Sequence, residues 1–178
     1  MFWWYAACAR FDIVIPASGG RIYKVRSLRD RVAIMKKMHE AGLLDPDVRG
    51  AALLAVRGCP DRDEECEIRS IFDLVKQKVR YTGDIQGHDT FASASRTLEW
   101  AGGDCDDVSV ACATLLRHLG FRVGVRAAAT GGTDWDHIYA IVGYPKDRPR
   151  GYVALDTTVP HSFPGWEPVA SRTQDFIW

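Results

Sequence analysis

The residues best suited to do chemistry lie in the run Gly102-Gly103-Asp104-Cys105-Asp106-Asp107-Val108. Two glycines permit a tight turn and a close backbone approach, and Asp104 suits the N-cap of a helix. Beyond it Val108, Ala111, Cys112, Leu115, Leu116 and Leu119 form an apolar stripe at helical spacing, closed by Gly120. Cys105 shares that buried face while standing in the first turn, beside backbone N–H groups that lack helical partners. Those groups and the helix dipole stabilise a thiolate and can donate to an oxyanion, so a nucleophilic cysteine is well served there. An isolated cysteine is more often a small core residue, which is how Cys112 reads.

Downstream, Trp135-Asp136-His137-Ile138-Tyr139-Ala140-Ile141-Val142 reads as a strand, and Tyr152-Val153-Ala154-Leu155-Asp156 as a second. The short, turn-rich connection from Pro145 to Gly151 predicts that they pair antiparallel. Directly opposite residues then have a constant sum of positions. If that sum is odd, as with Tyr144 opposite Gly151, His137 and Asp156 share a face, directly opposite or offset by two, within reach of a hydrogen bond. An even sum separates them. A carboxylate so placed selects the tautomer and favours the imidazolium. Thiol, imidazole and carboxylate, in the order Cys105, His137, Asp156, are what an activated thiol nucleophile needs.

The elements that must position these groups are mostly readable. Ser27 caps a helix carrying Leu28, Val32, Met35 and Met38, ending near Gly42. Asp45-Pro46 starts a second, with Val48, Ala52, Leu53 and Val56 on one side and Gly58 at its end. The acids Asp61, Asp63, Glu64 and Glu65 suit the N-terminus of a third, through Ile68, Ile71, Phe72, Val75 and Val79. Residues 81–104 lack a clear period and read as a loop with one helical turn near Ser95–Glu99. From Phe121 the pattern turns to alternation. Helices first and strands after suggest an α+β domain, with N-terminal helices packed on an antiparallel sheet. The segment 127–134 (AAATGGTD) reads as a lid over the cleft.

Composition narrows the function classes. The chain has 178 residues, 47% hydrophobic and 26% charged, which excludes disorder as its main state. Lys+Arg and Asp+Glu both number 23, and that balance argues against a nucleic-acid binder working by bulk charge. The expected organisation is a single domain over 1–178, with an aromatic-rich strand or arm at 1–25, turning at Ser18-Gly19-Gly20, and a C-terminal extension at 160–178. The start, MFWWYAACA, lacks a basic leader and is too short to span a bilayer; its aromatic and alternating residues fit β structure better. Residues 1–15 and the basic stretch 21–37, with seven basic residues against Asp30, are surfaces that a protein partner could use. For the basic stretch a solvated helix face is the plainer account. Five cysteines, an odd number at irregular spacing, do not form a disulfide framework. Cys59 and Cys66 could pair or hold metal, but separate thiols in a reducing cytoplasm are the default expectation. No metal, cofactor or membrane span is assigned.

At this point the residues resemble a known family. Thr97-Leu98-Glu99 leading to Gly103-Asp104-Cys105-Asp106-Asp107, then Leu115-Leu116-Arg117-His118-Leu119-Gly120-Phe121, Asp136-His137-Ile138-Tyr139 and Leu155-Asp156-Thr157-Thr158 look like the core of the transglutaminase-like superfamily, a branch of papain-like cysteine enzymes. The likeness spans about residues 68–160. It implies Cys105 as nucleophile, His137 as general base and Asp156 as its orienter. Family members often carry an upstream aromatic that donates to the oxyanion. No Trp lies between residues 5 and 99, and Val79-Arg80-Tyr81 occupies the similar place, so Tyr81 is the candidate donor. Asp106 and Asp107 could suggest calcium, but the helix dipole accounts for two acids there. In the other papain-like branch, that of cell-wall peptidases, Ser-Gly usually follows the cysteine and a second His, here His161, would replace the aspartate. The acyl acceptor is left open: water gives a peptidase or amidase, an amine gives a crosslink. Amide hydrolysis is the first expectation, for a peptide or protein substrate. The run Val159–Pro168 resembles small stand-alone members encoded by tailed phages, a resemblance that implies a virion setting. The rival expectation is a virion structural or assembly protein that keeps the fold and functions by docking through its apolar termini.

Overall fold

Ser27, in extended backbone, accepts a hydrogen bond from the Asp30 N–H and so begins the first helix, α1 (Leu28–Leu43). Asp45 accepts from the Asp47 N–H, and Pro46, with no N–H to lose, opens α2 (Pro46–Val56). Asp63 accepts from the Cys66 N–H at the head of α3 (Glu64–Lys78), whose first turn is acidic and last turn basic, each matching the dipole. This computed structural model describes residues 25–83 and 90–178. The expected strands, turn and docking surface within 1–24 therefore lie outside the described residues.

The stretch expected to be a loop holds more structure than its sequence suggests. The two-residue strand β1 (Arg80–Tyr81) pairs in parallel with β2 (Gly102–Gly103), on either side of α4 (Ala94–Trp100). Two-residue strands carry no period, which is why the pattern missed them. Next come α5 (Cys105–His118), β3 (Val123–Ala129), β4 (His137–Tyr144), β5 (Gly151–Leu155) and β6 (Arg172–Ile177). The last four form one antiparallel sheet in the order β5-β4-β3-β6. Part of the stretch 160–178 is thus an edge strand of the main sheet. Trp178 donates from its backbone to the Val123 carbonyl at 2.9 Å and stacks on His39 at 4.8 Å between ring centroids.

The core lies where the first four helices and the sheet meet on α5. Phe72, Ile71 and Val75 from α3, Val48 and Ala52 from α2, and Leu115, Leu116 and Phe121 pack in one cluster. Every α5 residue from Cys105 to Leu116 is buried. The amphipathic stripe expected of this helix is therefore incomplete, because neighbours cover its polar side as well. The two buried hydroxyls are satisfied locally: Ser109 Oγ donates to the Cys105 carbonyl and Thr114 Oγ1 to the Val110 carbonyl, both at 2.6 Å.

Several expectations need correcting. Cys59 and Cys66 are bonded, with Cα atoms 5.6 Å apart, because the chain reverses between α2 and α3 and brings the two sulfurs together. Leu53 on α2 is exposed rather than packed with Val48 and Ala52. Residues 127–129 are buried in β3 and do not belong to a lid. The turn that follows is held by Asp136, whose carboxylate accepts from the Thr130 and Gly131 N–H groups at 2.7 and 2.6 Å. Arg26, Arg29, Lys36 and Lys37 are exposed, as a solvated helix face should be, but Arg31 is buried.

Candidate active site

Cys105 begins α5, and the backbone around it is tightly determined. Asp104 Oδ1 accepts from the N–H groups of Asp106 and Asp107 at 2.9 and 3.2 Å, while Asp107 Oδ2 accepts from the Asp104 N–H at 3.4 Å. This reciprocal capping box fixes the first turn. It also explains Gly103: a Cβ there would sit 2.7 Å from Asp107 Cβ. The β1–β2 ladder sets Tyr81 beside Gly103, two residues before the cysteine. Tyr81 packs against the apolar cluster that contains Cys105, Ile138 and Val110. The Cys105 side chain is fully buried and its sulfur is bonded as a disulfide.

His137 opens β4 and Asp156 follows the last residue of β5. Tyr144 lies opposite Gly151 and Ala140 opposite Leu155, so the pairing sum is odd and the two residues fall on one face, offset by two. His137 Nε2 and Asp156 Oδ2 are 2.7 Å apart, with side chains 7% and 0% exposed. The other carboxylate oxygen accepts from Thr158 through its N–H at 3.0 Å and its hydroxyl at 2.6 Å. Burial alone would raise the Asp156 pKa, but the bond from His137, the imidazolium charge and the two bonds from Thr158 hold the carboxyl below its usual range. It is therefore an anion at neutral pH, able to orient the ring and stabilise its charge.

Ser109 joins the two halves of the site. Its hydroxyl contacts the carbonyl of Cys105 one turn back and, at 3.4 Å, the carbonyl of Ile138, the residue after His137. Cys105 and Ile138 also share an apolar cluster. The start of α5 and the start of β4 are thus packed together. His161 lies elsewhere, exposed, with its ring edge on Trp166 at 5.1 Å.

One pairing at this site was missed by sequence reasoning. Arg31 Nη1 on α1 bonds Asp106 Oδ2 at 2.6 Å, with side chains 10% and 1% exposed. A helix-dipole account of Asp106 omits this partner. The signal was present, because Arg31 follows Leu28 by three residues and precedes Met35 by four, on the apolar stripe of α1. Asp107 also has a tertiary partner, the N–H of Ala92 at 2.7 Å. Among the described residues no group of three or more His, Cys, Asp or Glu is arranged to hold a metal ion. No described helix is long and apolar enough to cross a membrane.

Residues 55–157 match the family model of the transglutaminase-like superfamily, and the chain belongs to that superfamily. No curated protein matches it. Among solved structures it is similar to a candidate protease from Parabacteroides distasonis, with TM-score 0.53 and 14% identity over 83% of this chain and 33% of that one. A candidate cysteine protease from Cytophaga hutchinsonii aligns with TM-score 0.48 and 18% identity, over 72% of this chain and 42% of that one. LapG of Legionella pneumophila aligns with TM-score 0.46 and 16% identity, over 73% and 76% respectively. The chain thus spans about a third and two fifths of the length of the first two. At these identities the likeness concerns the fold.

Proposed function

We propose that the chain is a thiol-dependent acyl-transfer enzyme, a cysteine peptidase or amidase, acting on a peptide or protein amide through Cys105, His137 and Asp156. The observation that carries this reading is the buried 2.7 Å contact between His137 and Asp156 beside the helix start that bears Cys105. With Nε2 turned to the carboxylate, Nδ1 is the nitrogen that takes the thiol proton. The thiolate then attacks the substrate carbonyl, and the resulting oxyanion is stabilised by the Cys105 N–H at the head of α5 and by the Tyr81 hydroxyl. Collapse breaks the C–N bond, the amine leaves with the proton from His137, and a thioester remains. Water, deprotonated by the same imidazole, releases the acid. An amine in place of water would give a crosslink by the same route.

The Cys59–Cys66 bond favours an oxidising compartment over the cytoplasm expected from the cysteine count, since cytosolic thiols are kept reduced.

The test is alkylation of the reduced protein with limiting iodoacetamide near neutral pH, followed by peptide mapping. Cys105 should be labelled well ahead of the other thiols. Cys112, whose pKa burial raises to about 12, supplies the inert comparison. Labelling of Cys105 at the rate of an ordinary thiol would overturn the proposal.

A further inference from the structure

Two oxygens of one buried carboxylate face two different groups at this site. Asp106 Oδ2 bonds Arg31 at 2.6 Å, while Asp106 Oδ1 lies 3.9 Å from the Cys105 sulfur. The Phe91 ring centroid lies 5.9 Å from the Arg31 guanidinium carbon. A carboxylate this close to a sulfur opposes thiolate formation, and burial strengthens the repulsion because little water screens it. The site therefore contains a feature that works against its own nucleophile unless something offsets it.

We propose that Arg31 is a positioning residue that neutralises Asp106 and so keeps the Cys105 thiolate accessible near neutral pH, a role that rests on Cys105 being the reacting thiol. Among the described residues, these charged and titratable groups surround the start of α5 that bears Cys105. Asp106 and the capping acids Asp104 and Asp107 come from its own helix, Arg31 from α1, Tyr81 from β1, and His137, backed by Asp156, from β4. Asp104 directs its carboxylate to backbone N–H groups of the first turn, and Asp107 directs its own to the N–H groups of Ala92 and Asp104. Among the described residues, Arg31 is the cation bonded to Asp106. Its position also docks α1 on the first turn of α5, so that the helix bearing the apolar residues Val32 and Met35 of the Cys105 cluster is locked to the cysteine by an ion pair.

The experiment measures the rate of Cys105 carboxymethylation against pH in the reduced full chain, by peptide mapping, for wild type, Arg31→Gln, Asp106→Asn and the double variant. Arg31→Gln should move the midpoint up by about one pH unit or more and slow labelling at pH 7 roughly tenfold, the size expected for a carboxylate about 4 Å away. Asp106→Asn should move the midpoint down, and the double variant should return near the wild-type value. Both single variants break the same ion pair and disturb packing alike, so opposite shifts cannot arise from lost structure. Shifts in the same direction, or no shift, would overturn the role of Arg31. If Arg31→Gln does not fold, Asp106→Asn against the double variant decides the matter: restoring the arginine should then lower the midpoint, and equal midpoints would refute the inference. Loss of preferential Cys105 labelling in wild type would instead defeat the proposed function, so the two failures are distinguishable.

Discussion

His39 gives the fold a dependence on acid whose size follows from its surroundings. The residue lies on α1, is 3% exposed, and contacts Thr114 Oγ1 through Nδ1 at 3.0 Å. Thr114 donates its own proton to the Val110 carbonyl, so its hydroxyl accepts and Nδ1 carries the hydrogen. A second proton would have to go on Nε2, inside the protein. Burial first, then the positive charges of Arg117, His118 and Lys36, lower the His39 pKa from 6.5 to about 4. Because the folded value lies below the unfolded one, the unfolded chain binds the proton more readily between those two limits. The stabilisation is complete above pH 6.5 and is lost as pH falls. Integrated to pH 4.5, the linkage costs about 2.5 kcal/mol. The assay is urea unfolding of wild type and His39→Gln from pH 8 to 4.5. At pH 8 the variant should be less stable, through loss of the Trp178 stack; by pH 4.5 the difference should shrink or reverse by roughly that 2.5 kcal/mol. A difference that stays constant with pH would refute the reasoning.

Other perturbations bear on the site and its frame. Asp156→Asn should leave the fold intact but lower turnover by about two to four orders of magnitude, because the amide cannot hold the charged imidazole; steady-state kinetics on any substrate found will show it. Gly103→Ala should lower stability by about 1–2 kcal/mol in denaturant unfolding and slow Cys105 labelling, since the added methyl meets Asp107 and opens the capping box. Replacing Cys59 and Cys66 together by serine should cost about 2 kcal/mol in the same assay, with labelling of Cys105 unchanged.

The parts of the fold that were legible in the sequence are those governed by local rules. Ser27, Asp45 and Asp104 cap the helices they were expected to cap, since a short polar side chain before an apolar period has few other uses. The pairing of β4 with β5 could be expected from the short connection, and the reach of His137 to Asp156 followed from one parity of the register, the one observed. Contacts set by the fold as a whole were less visible. Arg31 meets Asp106 across 75 positions, and β6 returns from the C-terminal run to pair with β3. Cys59 and Cys66 looked like isolated thiols until the turn between two helices brought them together. Burial of all sides of α5 likewise depends on four other helices and the sheet, which no period within the helix encodes.

The central claim is that one sulfur, one imidazole and one carboxylate act as a unit. Its most direct test is acylation of the reduced protein by an activated ester, followed by intact mass and peptide mapping. The account predicts a single acyl group on Cys105, formed rapidly in wild type and at least a hundredfold more slowly in His137→Ala. An adduct on another residue, or acylation of Cys105 at the same rate without the imidazole, would contradict it.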